Sequence, residues 1–300
     1  MSATPLLDAV IVGAGPAGLT AATYLGRFHR RSVVIDGGAS RARWIPQSHN
    51  IPGFPSGIGG SDLLKQLRAQ AVRYGARICA GTAKSLGQHE GHFVVVAGDD
   101  EWHARYVLLA TGVEDRLPPL RGAEEAVLRS VMRVCPICDA FEATGKSIAV
   151  IGDGEHGDRE AQFLRTYSDE VALIHVGDSR PPHADRALVM RGIEILTVAL
   201  DNLEIEQDAV RVHLPGGHSR VFEVCYAALG CAIQNRLATA LGAELDTVGS
   251  LKVNAHQQTS VPGLYAAGDV VRGLNQVVIA AAEAAIAATD IHNQLRQLGL

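Results

Sequence analysis

The chain has 300 residues, of which 47% are hydrophobic, so it is long enough to build one or two domains with large cores. Its formal net charge is −5, with acidic and basic residues mixed along the sequence, which argues against the basic surface that nucleic acid requires. The longest apolar run is short and contains Glu283, which argues against a membrane span. Five cysteines without a secretion signal argue against a disulfide scaffold. We therefore expect a soluble cytoplasmic protein with no membrane contact.

The first predicted unit is a strand, a glycine-rich turn, a helix and a second strand. A short apolar run leads into Gly13, Gly15 and Gly18 in G-x-G-x-x-G spacing, and the second strand ends on Asp36. Gly13 permits the tight turn, Gly15 lets the backbone approach a pyrophosphate, and Gly18 allows the helix to pack closely on the strand. Asp36 can accept hydrogen bonds from a ribose diol. The unit predicts a bound nucleotide at the helix N-terminus, and the alternative is a structural turn in an ordinary α/β domain.

The sequence "CPICD" places Cys135 and Cys138 at the spacing of a redox pair, with Asp139 directly after them. Both sulfurs can close one small disulfide ring, and a helix that starts at such a pair lowers the thiol pKa and favours the thiolate. The alternative is a zinc knuckle, which would need two more ligands. Cys225 and Cys231 are the spaced candidates, and they lack C-x-x-C spacing. We therefore predict a redox pair and no metal site.

The glycine pattern then returns. A strand leads into Gly152, Gly154 and Gly157, and a helix and another strand follow. A hairpin pattern comes after each unit: "HFVVVAGDDEWHARYVLLATG" after the first and "AVRVHLPGGHSRVFEVCYAALG" after the second. Two such units suit an enzyme that passes electrons between two nucleotide cofactors, and the alternative for the second is a fold retained after its ligand was lost. We predict an α/β fold with two Rossmann-like, three-layer nucleotide-binding domains, the second inserted into the first.

Near the end of the chain, "GLYAAGDV" ends a strand on Gly268 and Asp269, and an Ala-rich helix starts soon afterwards. A carboxylate beside a helix N-terminus can bind hydroxyl groups of a cofactor, and the helix N-terminus can stabilise negative charge on it. The alternative is an aspartate that caps a loop.

These motifs together resemble the low-molecular-weight thioredoxin reductases over almost the whole chain. The segments that carry the resemblance are "VGAGPAG", "ATG" at 110–112, "CPICD", the second glycine turn and "GLYAAGDV". The resemblance implies an FAD domain split between residues 1–115 and 245–300, a middle domain of residues 116–244 that binds NADPH or NADH and carries the cysteine pair, and a homodimer. It also implies electron transfer from NAD(P)H through FAD and the cysteine pair to a thioredoxin-like protein or a small disulfide or dithiol.

The resemblance assigns roles to individual positions. Asn50 lies in "HNIPGFP", which looks like the family's flavin-lining Asn-x-Pro-Gly segment, and Gln276 with Val277 matches a Gln-Ala pair at a helix start. Asp139 would shuttle a proton to the thiols, Cys138 would face the flavin and Cys135 would attack the external substrate. The positions implied to contact FAD are Gly13, Gly15, Gly18, Asp36, Asn50, Thr111, Gly112, Gly268, Asp269, Gln276 and Val277. Those implied to contact the second nucleotide are Gly152, Gly154 and Gly157.

One segment departs from the family pattern. The family reads the 2′-phosphate of NADPH with a His-Arg-Arg run, whereas this chain has "IHVGDSR" at the matching place. Each lost arginine would have supplied charge-assisted hydrogen bonds worth about 1.5–3 kcal/mol. Arg180 could substitute in part, and Asp178 could favour NADH. The second glycine turn, "GDGEHGD", also brings acidic residues to the place of a pyrophosphate.

The electron donor therefore stays open at this point. One alternative is an NAD(P)H-dependent disulfide reductase with an altered nucleotide preference. Another is a relative that receives electrons from ferredoxin or from a second flavin. A third is an FAD-dependent dithiol oxidase that passes electrons from a small dithiol to oxygen. A redox-inactive binding protein is disfavoured by the intact "CPICD".

Overall fold

The computed structural model describes residues 6–176 and 182–300. The strands are β1 (Leu7–Val12), β2 (Ser32–Asp36), β3 (Arg77–Ala80), β4 (Ala83–His89), β5 (His92–Ala97), β6 (Asp100–Leu109), β7 (Val113–Asp115), β8 (Met132–Arg133), β9 (Ile148–Gly152), β10 (Val171–His175), β11 (Ile193–Thr197), β12 (Leu203–Ile205), β13 (Val210–His213), β14 (Ser219–Phe222), β15 (Val224–Ala228), β16 (Cys231–Ile233) and β17 (Leu264–Ala266). The helices are α1 (Pro16–Arg27), α2 (Gly60–Arg73), α3 (Ala123–Leu128), α4 (Pro136–Asp139), α5 (Gly154–Leu164), α6 (Pro182–Val189), α7 (Arg236–Thr239) and α8 (Val277–Gln297).

The first sheet joins the two ends of the chain. Its strand order is β3-β2-β1-β6-β5-β4, and β17 pairs in parallel with β6. On one face α1 and α8 pack closely through small side chains such as Ala21 and Ala284, in one buried cluster with Leu25 and Ile291. The segments Ala9–Val12 of β1 and Val107–Leu109 of β6 are apolar and buried, because both faces of the sheet are covered there.

The second sheet has five parallel strands in the order β11-β10-β9-β15-β8. The antiparallel strands β12, β13 and β14 pack on one face, where Val212 and Phe222 share a buried cluster with Ile151 and Ile174. The other face packs against α5 and α6 through Leu164 and Leu188. Two sheets, each opening with a strand, a glycine turn and a helix, confirm the predicted α/β fold with two Rossmann-like units.

A two-stranded ribbon connects the two sheets. β7 leaves the first sheet just after β6, β16 comes back just after β15, and the two pair in antiparallel fashion with Val113 opposite Ile233. Thr111 Oγ1 donates to the Gln234 carbonyl at 2.6 Å, which closes the end of the ribbon next to the first sheet. The chain therefore passes between the sheets twice, side by side. The division into 1–115, 116–244 and 245–300 stays a prediction.

Within the described residues, no helix has both the length and the apolar character that crossing a bilayer demands. The residues on which the expected nucleotide preference depends, Gly177, Asp178 and Arg180, lie outside the part of the chain that the structure describes.

Candidate active site

The first glycine turn has the geometry that the sequence predicts. Gly13 has φ +110°, and a Cβ on it would lie 2.2 Å from the Ala110 carbonyl oxygen. A Cβ on Gly18 would lie 1.8 Å from the Gly13 carbonyl oxygen, so any side chain there would separate the turn from α1. Gly15 is the N-cap of α1 and provides no side-chain cap. The first-turn N–H groups of α1 are thus without a side-chain cap and fit the pyrophosphate of FAD.

Asp36 ends β2 beside this turn. Its Oδ1 accepts the Gly38 N–H at 2.9 Å, and its Oδ2 is paired with the Arg68 guanidinium. A carboxylate offers about four acceptor positions. The two that remain fit the hydroxyls of a ribose, so the carboxylate can serve both Arg68 and a nucleotide.

Asp269, the predicted cofactor carboxylate near the end of the chain, is held by an arginine that sequence reasoning missed. Arg41 Nη1 lies 2.9 Å from Asp269 Oδ2, and Arg41 also makes two hydrogen bonds of 2.7 Å to Asp115 in β7. Burial alone would lower the pKa of Arg41, but its hydrogen bonds and charge pairing with these carboxylates outweigh burial and raise it. Arg41 is therefore a fixed cation that joins the end of the first sheet to the connecting ribbon.

The loop that carries Asp269 is also anchored to α8. The Gly268 N–H donates to Glu283 Oε2 at 2.7 Å, and Gly268 has φ +80°. Burial raises the pKa of Glu283. Glu283, noted in the sequence only as a charge in an apolar run, thus fixes the strand end against the helix.

Cys135 and Cys138 form a disulfide, with their Cα atoms 5.3 Å apart. Cys135 is the N-cap of α4, Pro136 fills the first helical position, and the Cys138 N–H donates to the Cys135 carbonyl at 2.9 Å, so the motif forms a tight turn. Gln276 Nε2 lies 3.3 Å from Cys138 Sγ and 3.6 Å from Cys135 Sγ. The redox pair of the inserted unit therefore faces the N-terminus of α8 in the split unit.

Asp139 lies behind the disulfide in a polar pocket. The Tyr226 hydroxyl donates to Asp139 Oδ1 at 2.8 Å, and Arg133, which is only 6% exposed, donates to the Asp139 carbonyl. Burial raises the pKa of Asp139 to about 6, although Arg133 and Tyr226 both act to lower it. Burial likewise raises the pKa of Tyr226. A carboxyl that keeps a protonated fraction near neutral pH suits the predicted role of proton donor to a sulfur.

Asn50, for which the resemblance implies a contact with the flavin, lies beside Gln276. Its Nδ2 donates to Gln276 Oε1 at 2.9 Å, and its Oδ1 accepts from Ser48 Oγ at 2.8 Å. The structure thus brings Asn50, Gln276 and the cysteine pair together from three distant parts of the chain. Val277 begins α8 directly after Gln276.

The second glycine turn keeps its shape but carries negative charge. A Cβ on Gly157 would lie 2.9 Å from Gly152 Cα, so this pair still allows α5 to pack tightly on β9, and Gly154 has φ +52°. Asp153 is the N-cap of α5, and both Asp153 and Glu155 are exposed there. Carboxylates at this helix end oppose a bound pyrophosphate.

The zinc alternative finds little support in the cysteines. Cys135 and Cys138 are bonded to each other, and burial raises the pKa of Cys225 to about 12, so this thiol is a poor source of the thiolate that zinc binds. Within residues 6–176 and 182–300, no group of three or more His, Cys, Asp or Glu side chains has the arrangement of a metal site.

Comparisons with known proteins agree with this geometry. Residues 7–284 match the family model described as pyridine nucleotide-disulphide oxidoreductase. The chain is 32% identical to thioredoxin reductase of Treponema pallidum over 94% of both chains. Among solved structures, that of HlmI has a TM-score of 0.89 at 30% identity and covers 97% of this chain and 93% of its own. Thioredoxin reductase of Giardia duodenalis has a TM-score of 0.84 at 28% identity and covers 97% of this chain and 99% of its own.

Proposed function

The chain belongs to the low-molecular-weight thioredoxin reductase branch of the pyridine nucleotide-disulphide oxidoreductases and is an FAD-dependent disulfide oxidoreductase, and we propose that it reduces the disulfide of a thioredoxin-like protein through Cys135 and Cys138. The observation that carries this proposal is the Cys135–Cys138 disulfide held against the N-terminus of α8, beside Asn50 and Gln276. Bound FAD supplies a two-electron reductant for this disulfide.

In the proposed reaction, Cys138 faces the flavin and Cys135 attacks the partner disulfide. Asp139 donates a proton to the sulfur that leaves, since its raised pKa keeps part of its population protonated near neutral pH. Tyr226 and Arg133 hold Asp139 in place during the transfer. Gly13, Gly15, Gly18 and Asp36 would bind the pyrophosphate and ribose of FAD.

A protein substrate is favoured by the surface around the disulfide. Ile137, between the two cysteines, is 52% exposed, and Phe141, just after them, is 77% exposed. Large exposed apolar side chains beside a reactive group are typical of a protein contact. We therefore propose that a thioredoxin-like protein docks over Ile137 and Phe141.

In this conformation the sulfurs face Gln276, so a partner protein and the flavin cannot approach them from the same side. We propose that the inserted unit rotates about the ribbon of β7 and β16 to bring the sulfurs to the partner.

We also propose a cytoplasmic homodimer, as the resemblance implies, and the exposed Val278 and Ile286 on α8 offer an apolar contact for it. Analytical ultracentrifugation measures the dimer directly.

A second candidate function is favoured by the negative charge at the start of α5. If Asp153 and Glu155 exclude a pyridine nucleotide, electrons would instead enter at the disulfide from a small dithiol and leave to oxygen. This is the dithiol oxidase alternative. The substrate dithiol would be oxidised to its disulfide while oxygen is reduced to hydrogen peroxide, with two electrons and two protons transferred.

Anaerobic titration separates the two functions. The reductase predicts that NADPH or NADH bleaches the flavin absorption at stoichiometric amounts, and that the enzyme then reduces a thioredoxin. The oxidase predicts no bleaching by either nucleotide, bleaching by a small dithiol, and peroxide when air is admitted.

The matched variants are Cys138→Ser and Cys225→Ser. Cys138→Ser should lose reduction of the partner disulfide while it keeps its flavin, and Cys225→Ser should retain the activity because Cys225 lies buried in β15. Retention of full activity by Cys138→Ser would overturn the proposed route.

A further inference from the structure

The side chain of Gln276 has a role that binding of the cofactor does not explain. Gln276 is only 9% exposed, and its carboxamide is aimed at the disulfide and not at open space. One N–H of Nε2 donates to the Asn275 carbonyl at 3.0 Å. The other is shared between Cys138 Sγ at 3.3 Å and Cys135 Sγ at 3.6 Å. Both donors of the amide are therefore used, and one of them points at the reacting atoms.

Hydrogen bonds on two sides fix the orientation of this amide. The Asn275 carbonyl can only accept, so it requires the nitrogen of Gln276 on its side, which is also the side of the sulfurs. Gln276 Oε1 then accepts from Asn50 Nδ2, and Asn50 Oδ1 accepts from the Ser48 hydroxyl. A flipped Gln276 would set two donors against each other and place an oxygen beside the sulfur lone pairs. Each donor in the chain also polarises the next.

We propose that Gln276 is a catalytic residue that stabilises the thiolate formed at Cys138 when the disulfide is reduced, and that Asn50 and Ser48 are positioning residues that keep its N–H on the sulfur. The proposal deepens the proposed function and rests on Cys135 and Cys138 being the redox pair. Cys138 is the nearer sulfur, and it is also the one expected to face the flavin.

The step balances as follows. Reduction adds two electrons and one proton to the disulfide, the S–S bond breaks, and one sulfur becomes a thiol while Cys138 becomes a thiolate. A hydrogen bond from an N–H to a charged sulfur is stronger than one to a neutral sulfur. Gln276 therefore favours the reduced state over the disulfide and lowers the pKa of the Cys138 thiol.

The experiment measures the thiol and the disulfide directly, without a partner protein or a nucleotide. The holoprotein is reduced anaerobically with dithiothreitol, which loses two electrons and becomes its cyclic disulfide, and is then alkylated with iodoacetamide across a range of pH. Trypsin cuts after Arg133 and Lys146, so residues 134–146 carry both cysteines on one peptide, apart from Cys79, Cys225 and Cys231. Mass spectrometry of that peptide gives the rate at each cysteine.

Gln276→Leu should raise the measured pKa of the Cys138 thiol by about one unit, and so slow its alkylation at neutral pH about tenfold. In the same variant, half reduction of the disulfide should need an about tenfold higher ratio of reduced to oxidised dithiothreitol. Asn50→Leu should give a shift in the same direction but smaller, and Ser48→Ala a smaller one still. Gln47→Leu is the matched control, because Gln47 lies in the same loop and, among the described residues, its side chain donates only to the Ser56 carbonyl.

The proposal is overturned if Gln276→Leu and Gln47→Leu alkylate at the same rate and reduce at the same dithiothreitol ratio. If Gln276→Leu loses its flavin, Asn50→Leu and Ser48→Ala decide, and wild-type values in both also overturn it. A different result contradicts the proposed function instead. In that case dithiothreitol reduces the wild-type disulfide, but neither the reduced flavin nor the partner protein exchanges electrons with it.

Discussion

At the scale of single residues, Asp139 shows how one environment sets both a reaction and a stability cost. The carboxyl is enclosed behind the disulfide, and burial raises its pKa more than Arg133 and Tyr226 lower it. Its pKa of about 6 lies between the ordinary value of 3.8 and the working pH of an enzyme near neutrality. A fraction of Asp139 is thus protonated near neutral pH, as the proposed proton transfer to a sulfur requires.

The pH dependence of partner reduction follows from this group. We expect the rate of the wild-type enzyme to fall as pH rises through about 6, because the acid form of Asp139 is lost there. Asp139→Asn should lower the rate about 100-fold and remove this pH dependence. Stopped-flow reduction of a thioredoxin at several pH values measures both. Glu142→Gln removes a charge that helps to raise this pKa, so it should keep the fall in rate but move it to lower pH. An unchanged profile in Asp139→Asn would exclude Asp139 as the acid.

Asp139→Asn should lower the rate but raise the stability of the fold at pH 7. Since the folded-state pKa of Asp139 is raised, its protonation stabilises the fold fully below pH 3.8, and this stabilisation is lost as pH rises through about 6. Asp139→Asn, which cannot ionise and can still accept from Tyr226, should therefore be more stable than the wild type at pH 7. Urea denaturation at pH 7 tests this, and a less stable variant would contradict it.

At the scale of secondary-structure elements, the close approach of α1 to β1 depends on Gly18. The space that a side chain would need there is occupied by the backbone of Gly13. Gly18→Ala places a Cβ against the Gly13 carbonyl oxygen, and backbone cannot move aside as a flexible side chain can. We expect a loss of about 3 kcal/mol in the free energy of unfolding and a weaker hold on the flavin. Thermal and urea denaturation, with flavin content, measure both effects.

Gly87→Ala is the control for that substitution. Gly87 lies in β4, has no positive φ, and has nothing within 4 Å of the place where a Cβ would lie. Its free energy of unfolding should stay within about 0.5 kcal/mol of the wild type. If Gly18→Ala loses no more stability than this small amount, the collision at Gly18 is relieved by a shift of α1.

Sequence patterns could predict the elements and the local turns, but not the contacts between distant parts of the chain. The glycine spacing at Gly13 and Gly152 depends on neighbouring residues, and so does the ring formed by Cys135 and Cys138. The pairing of Arg41 with Asp269 depends instead on how β17 and the ribbon meet in space. No local pattern marks an arginine for that place.

The hydrogen bond from Tyr226 to Asp139 was missed for the same reason. Tyr226 lies in β15 and reads as one more apolar strand residue, and only the pairing of β15 with β8 and β9 brings it behind the cysteine motif. By contrast, Gln276 could be predicted at the site from the resemblance, but the direction of its side chain could not.

At the scale of the whole molecule, Arg41 restrains the junction between the two units. It joins Asp115 in the ribbon to Asp269 at the end of β17, so its loss leaves two partly buried carboxylates without their cation. We expect Arg41→Ala to lower the free energy of unfolding by about 2 kcal/mol and to speed amide hydrogen exchange in β7 and β16. Hydrogen exchange followed by mass spectrometry measures this region by region.

Arg43→Ala is the matched control, because Arg43 lies in the same turn and its guanidinium donates only to the Gly38 carbonyl within the part of the chain that the structure describes. Its exchange in β7 and β16 should equal that of the wild type. If Arg41→Ala also leaves the ribbon unchanged, the junction is held by strand pairing alone.

The double connection between the units has a consequence for the rate of electron delivery. A domain on one flexible tether wanders through a large volume, and its reactive group meets its counterpart at a correspondingly low effective concentration. Here two hydrogen-bonded strands connect the units, so we expect the inserted unit to move chiefly by a twist about their common axis. The sulfur pair should then return to the same position after every turnover, at a higher effective concentration than one flexible tether would give.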